Sequence, residues 1–195
     1  MSSIYYNNLI KLVIDKSESE RWEDALEEWD IFDCEEDNDI ESSCICGKEN
    51  IKYLFTIKNV INGNEIYPIG SSCIKKFNRT DLNELITIKE GMFKLLREVE
   101  KNAYISLSSE LFTRRLLKVL YEEGAFKPNK FNRYDSKRDY EFMLKMFNKK
   151  NKDTITESED KRIKAIIINC IKPHLKNQLE NKRKNGESLY VKRKI

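Results

Sequence analysis

Apolar positions recur at helical spacing along most of the chain, with one short interval where the period drops to two. Tyr6, Leu9, Ile10 and Val13 predict a first helix over residues 5–14. Ser17 followed by Glu20 has the pattern of a capping box, with Trp22, Leu26 and Trp29 on one face after it. That predicts a second, acidic helix packed by a single stripe, with residues 33–43 as a loop. Tyr53, Phe55, Ile57 and Val60 then mark a strand over residues 51–60. Asn62-Gly63 predicts a two-residue hairpin turn, and residues 65–69 the returning strand, with Pro68 near its end. Beyond Gly70 the helical period returns. Asp81 caps a helix towards Asn102, carried by Leu82, Leu85, Ile86, Phe93 and Leu96, with Gly91 as the point where it would break. Ser108 or Ser109 caps the next, with Leu111, Leu116, Leu117 and Leu120 inward and Gly124 as its stop. Residues 125–135 read as a loop. Ser136 opens a helix with Tyr140, Met143, Leu144 and Phe147. Thr156 with Glu159 opens the last, which Pro173 kinks or ends. The fold class predicted is α+β and mostly helical: a small β-hairpin unit with helices before it and a helical bundle after it.

Composition narrows the class. The chain has 195 residues, 39% hydrophobic and 35% charged, against roughly 25% charged in an average soluble domain. Its apolar runs fall far short of the ~20 residues a membrane span needs, and its first residues lack the apolar stretch of a signal peptide. A cytoplasmic protein without membrane partners is expected. Five cysteines in such a chain argue for reduced thiols or metal ligands over a disulfide framework. Net charge is +3, unevenly spread. Residues 15–41 hold 14 acidic residues against 2 basic ones, while residues 172–195 hold 8 basic against 2 acidic.

The cysteines carry the chemistry. Cys44-Ile45-Cys46-Gly47 can bend as a metal knuckle, because the glycine permits a tight turn. The hairpin returns the chain to Gly70, which places Cys73 in the first turn of a short helix. A helix N-terminus and a metal both favour thiolate there. Three thiolates point to tetrahedral zinc, since soft sulfur ligands disfavour magnesium and calcium. Cys34, separated from Cys44 by nine residues, is the first choice of fourth ligand; His174, a carboxylate such as Asp33 or Asp39, or a water are the alternatives. Cys170 lies in a stripe of isoleucines and reads as a buried thiol.

Cys44, Cys46, Gly47, Asn59, Asn62, Gly63, Gly70, Ser71, Cys73, Ile74 and Phe77 together resemble a treble-clef-like zinc module found in poorly characterised proteins of phages, mobile elements and large DNA viruses. The likeness spans about residues 29–77. It differs from the usual treble clef in having one residue between the knuckle cysteines and one cysteine in the terminal helix. The resemblance implies zinc and a viral or mobile-element origin, and no specific activity. With it, the chain divides into acidic N-terminal helices (1–32), a zinc-binding β-hairpin module (33–79), a helical bundle (80–183) and a basic tail (184–195).

No catalytic signature accompanies the thiols, so no enzyme is expected; Asp135, Asp139 and Glu141 as a nuclease metal cluster is a weak alternative. Two binding functions remain. The first is binding of nucleic acid through Lys75, Lys76 and Arg79 after Cys73, with Arg114, Arg115 and Lys118 on one helix. Phe126, Phe131 and Tyr134, interleaved with Lys127, Lys130 and Arg133, suit stacking on unpaired bases. The second is an inhibitor or adaptor role, in which Glu23, Glu27, Glu28, Glu35 and Glu36 occupy the basic groove of a nucleic-acid-processing protein.

Overall fold

A computed structural model of the chain describes residues 3–184. The basic tail expected over 184–195, with Lys192, Arg193 and Lys194, lies outside the described residues past Lys184. The chain divides into two compact units, one up to Thr87 and the other from Ile88, so the acidic segment and the hairpin module share a unit.

In the first unit, helix α1 (Ile4–Lys16) starts where the Ser3 hydroxyl accepts the Tyr6 N–H at 3.3 Å. It buries Leu9 and Val13 and stops at Ser17. Ser17 does not open a second helix. Its hydroxyl donates back to the Val13 carbonyl at 2.7 Å and accepts the Trp29 indole N–H at 2.8 Å. The expected acidic helix is correspondingly short: α2 (Trp22–Ala25) runs into a 3₁₀ turn at Leu26–Glu28 and gives way to strand β1 (Trp29–Glu36). Pairing with a neighbouring strand overrides the local helical pattern here.

That neighbour is β2 (Tyr53–Asn59), followed by β3 (Glu65–Gly70); the three form an antiparallel sheet in the order β1-β2-β3. Register runs Trp29 to Asn59 and Cys34 to Phe55, broken by a bulge between Ile31 and Asp33. The β2–β3 connection is longer than a two-residue turn. Asn59 pairs with Asn64 through N–H to carbonyl at 2.8 Å, and its side-chain oxygen accepts the Ile61 and Asn62 N–H groups. Of the Asn62-Gly63 pair only Gly63 takes positive φ, at 77°. The loop is tied to α1: Asn62 and Asn64 both donate to the Lys16 carbonyl, at 3.1 and 2.9 Å, which satisfies an orphan acceptor at the helix end. Helix α3 (Ser71–Ile74) and a 3₁₀ turn (Lys75–Phe77) follow β3 directly. Trp29, Phe55, Ile57, Ile69 and Ile74 are fully buried, and Trp22 stands edge-on between Tyr6 and Phe77.

Helix α4 (Thr80–Glu100) runs unbroken through Gly91 into the second unit. A Cβ on Gly91 would stand 3.1 Å from a Leu116 methyl, so glycine here serves close helix packing. Helix α5 (Arg114–Glu122) is capped by Thr113, in place of the expected serines, and buries Leu116, Leu117 and Leu120. Gly124 ends it at φ 79°. Helix α6 (Ser136–Asn148) is capped by Asp135. Helix α7 (Glu157–Ile166) begins with the Thr156/Glu159 capping box that the sequence contains. A π-helical turn (Ile167–Ile171) then leads into α8 (Lys172–Lys184). The helix therefore passes Pro173, with its widened turn just before the ring, where proline would crowd a preceding carbonyl. No described helix is long and apolar enough to cross a membrane.

Candidate metal centre

The loop from β1 to β2 sets up the first two thiols. Asp37, buried, accepts N–H groups from Asp39, Glu41 and Ser42 and the Ser42 hydroxyl, the last at 2.6 Å. A single bridge from Ser42 to Ile51 closes the loop, and Cys44 N–H donates to the Lys48 carbonyl at 2.8 Å. Between them the chain makes its knuckle, with Gly47 at φ 95°. The knuckle lies along the outer margin of β3, where Ile45 N–H donates to the Pro68 carbonyl at 2.8 Å. Helix α1 supports it from the other side: Asn8 donates to the Cys46 carbonyl at 3.0 Å, and the Tyr5 ring approaches Gly47. Cys73 arrives as the third residue of α3, the short helix that leaves the end of β3.

The three sulfur atoms lie within 4.8 Å of one another, and each residue is at most 4% exposed. Cys44 and Cys73 are 3.7 Å apart and Cys73 and Cys46 3.4 Å, far beyond the ~2.05 Å of a disulfide. Zinc–sulfur bonds of ~2.3 Å in a tetrahedron put the sulfurs about 3.8 Å apart, so the spacing fits a metal ion with little movement. The electrostatics suit it as well. Hydrogen bonding with the Cys73 thiol, joined by backbone N–H groups of Cys46 and Gly70, outweighs burial and draws Cys44 down to about 5. Gly70 N–H reaches the Cys44 sulfur at 3.3 Å. Cys73 in turn is pushed up by the neighbouring Cys44 sulfur and by burial. Cys44, Cys46 and Cys73 could hold a metal ion, and they are the one such group of three or more potential ligands among the described residues.

Cys34 does not join them. It sits in β1 opposite Phe55, buried, with its thiol 3.8 Å from the Glu35 carbonyl, because the segment expected to be a flexible loop is ordered as strand. His174 belongs to α8 and faces Glu123 at 3.4 Å. Asp33 accepts the Cys34 N–H. The imagined nuclease carboxylates also have other work: Asp135 caps α6, Asp139 binds Asn132 and Arg162, and Glu141 pairs with Lys137.

The basic candidates separate. Lys75 and Lys76 are exposed directly after α3, and with Ser3, Tyr6 and Asn78 they line a shallow groove of about 510 Å³. The Lys76 ammonium stands 5.0 Å from the Tyr6 ring centre. Arg79 turns inward, donating to the Leu26 and Trp29 carbonyls and to Asp30 and Asp81, and so is a structural staple. Arg114, Arg115 and Lys118 are exposed on α5; Arg114 donates to Asn148 and Lys118 pairs with Glu122.

The acidic candidates do not form one surface. Glu23 and Glu27 are exposed. Glu35 accepts the Tyr67 hydroxyl at 2.8 Å, and Glu36 is buried beside Lys52. Glu28 is buried too and accepts the Glu18 and Ser19 N–H groups and the Asn59 amide. Much of the negative charge between 15 and 41 thus organises loops. Sequence reading missed Tyr5, Tyr6 and Asn8 as neighbours of the knuckle and groove. Tyr5 and Asn8 share a helix face at a spacing of three, which was the available signal.

No family model, curated protein or solved structure matches the chain.

Proposed function

We propose that this is a non-catalytic nucleic-acid-binding protein whose first unit is stabilised by zinc held at Cys44, Cys46 and Cys73. The observation that carries the reading is the joining of two features on one short helix. Its first turn bears the buried Cys73, and the turn after it exposes Lys75 and Lys76 beside an open groove that contains Tyr6. A metal fixing Cys73 fixes the lysines, and two ammonium groups with an aromatic ring suit a phosphate backbone and a neighbouring base. The all-sulfur donors and their spacing support zinc, with the fourth position left to another donor. Its contribution is folding energy, since one ion would tie the knuckle to the helix that follows the hairpin.

Elemental analysis of purified protein should find one zinc per chain, lost in Cys44→Ser and retained in Cys34→Ser. Fluorescence anisotropy with labelled duplex and single-stranded oligonucleotides should give binding that weakens with salt. Lys75→Ala/Lys76→Ala should weaken both and reduce the salt slope by about 2. Arg79 is left unchanged because it supports the fold. A protein that binds neither form at low salt, or a double variant indistinguishable from wild type, would refute the assignment of this surface.

A further inference from the structure

The loop between α5 and α6 carries an unusual combination within the second unit. Phe126 is buried, while Phe131 is 84% exposed and Tyr134 is 75% exposed. Two aromatic rings held in water forgo the burial that such side chains normally seek. The backbone that holds them out is itself constrained. Arg133 and Tyr134 are successive left-handed residues, at φ 57° and 60°, a region that non-glycine side chains seldom occupy. A reciprocal cap supports the bend. The Asn129 side chain accepts the Phe131 N–H at 2.8 Å, and the Asn132 side chain accepts the Asn129 N–H at 2.8 Å. Tyr134 N–H donates to the Asn129 carbonyl, also at 2.8 Å. Asn132, 1% exposed, donates onward to the Lys127 carbonyl and to Asp139. The exposed rings thus sit on a braced ledge.

Beside the ledge lies a cavity of about 770 Å³, lined by Phe131 and by residues of the helix that contains the π turn. Its charged members are Lys127, Lys161 and Arg162 against one carboxylate, Asp139. That carboxylate is engaged by Asn132 at 2.8 Å and by Arg162 at 2.9 Å, and Lys161 pairs with Glu157 at 2.5 Å; with three cations against these two carboxylates the site stays net cationic. Arg162 is held in place from below by the Phe142 ring, 4.1 Å from its guanidinium carbon. Asn169, on the π turn, adds an amide to the wall; such turns are frequent at functional sites.

We infer that this cavity and the Phe131 ledge receive an unpaired nucleotide of a single-stranded nucleic acid, with the base against Phe131 and phosphates along Lys127, Lys161 and Arg162. Cations select an anionic ligand, and an exposed ring face selects a flat one. Bases within a duplex are already stacked, so only an unpaired base can offer its face to the ring. The inference rests on the proposed nucleic-acid binding but uses none of the residues of the groove beside α3. A free nucleotide shares the chemistry, and the experiment separates the two.

Anisotropy titrations of the full chain would use a labelled oligouridylate, a labelled duplex and, as competitor, uridine monophosphate. Phe131→Ala should weaken oligouridylate binding about tenfold and leave duplex binding unchanged, while Phe131→Tyr retains both. Lys127→Ala/Lys161→Ala should weaken the single strand and flatten its salt dependence. An oligonucleotide bearing 5-iodouridine should cross-link to the peptide containing Phe131 and Tyr134. Phe131 is exposed, so an unchanged melting curve verifies the fold of its variants. If Phe131→Ala and Lys127→Ala/Lys161→Ala bind like wild type while Lys75→Ala/Lys76→Ala does not, the ledge is excluded and the groove beside α3 stands. If wild type binds no strand of either kind, both proposals fall. If the monophosphate binds in a Phe131-dependent way and strands do not, the site is for a free nucleotide and the inference is overturned.

Discussion

Arg79 makes five hydrogen bonds from one guanidinium, to Leu26, Trp29, Asp30 and both oxygens of Asp81. A planar guanidinium offers five donors in fixed directions, and an ammonium only three from a single atom. Arg79→Lys is therefore expected to destabilise the first unit by about 2–3 kcal/mol, read as a lower midpoint of urea unfolding. An unchanged midpoint would reject the staple. A row of charges in a sequence does not reveal this, because Lys75, Lys76 and Arg79 differ only in where their side chains turn. Glu28 makes the same point among the acids. Burial opposes its ionisation, but donors from Ser19, Asn59 and Glu18 outweigh it and hold the carboxyl at about 2, below its ordinary 4.5. The folded value lies below the unfolded one, so the contribution is complete above pH 4.5 and is lost as pH falls towards 2. Across that window wild type should lose stability more steeply than Glu28→Gln, measured as unfolding midpoint against pH. Parallel curves would assign the acid sensitivity to other carboxylates.

At the scale of elements, legibility followed the regularity of the period. Helix α7 declared itself through Thr156 and Glu159, and α5 through Leu116, Leu117 and Leu120, because capping and helical spacing are local. Strand β1 did not. Phe32 is an extra residue at the bulge, so the buried Trp29 and Cys34 fall out of the alternation that marks a strand. The intervening acids completed the disguise. Cys34 was misjudged for the same reason, since a loop cysteine could reach the knuckle and a paired strand cysteine is committed to its place. Gly91 was legible as an anomaly but not in its meaning, which depends on Leu116 in another helix. Gly91→Leu should push α4 and α5 apart and cost about 1–3 kcal/mol, seen as a lower melting temperature. A variant that melts higher would show that the gain in helix propensity exceeds the crowding.

For the whole molecule, the division at Thr87 falls inside α4, a boundary that no composition shift announces. The thiol trio was readable because a knuckle, a hairpin and a helix start form a short local sequence of constraints. The groove and the ledge were only partly so, since exposure decides which basic and aromatic residues face outward. If zinc holds the first unit together, chelation should act regionally. Hydrogen exchange after metal removal should accelerate at residues 42–47, in β1 to β3 and in α3, while α5 to α8 keep their protection. Uniform acceleration through both units, or none, would contradict a local structural ion.

The knuckle also touches the border of the sheet. In the sheet order β1-β2-β3, β3 is a border strand, and the knuckle is joined to it by the Ile45 N–H donating to the Pro68 carbonyl. An uncovered strand margin is a template onto which another chain can add. If an ion fixes the knuckle there, losing it would do more than loosen one unit: it would unmask part of that margin, and metal starvation would drive the protein towards self-association.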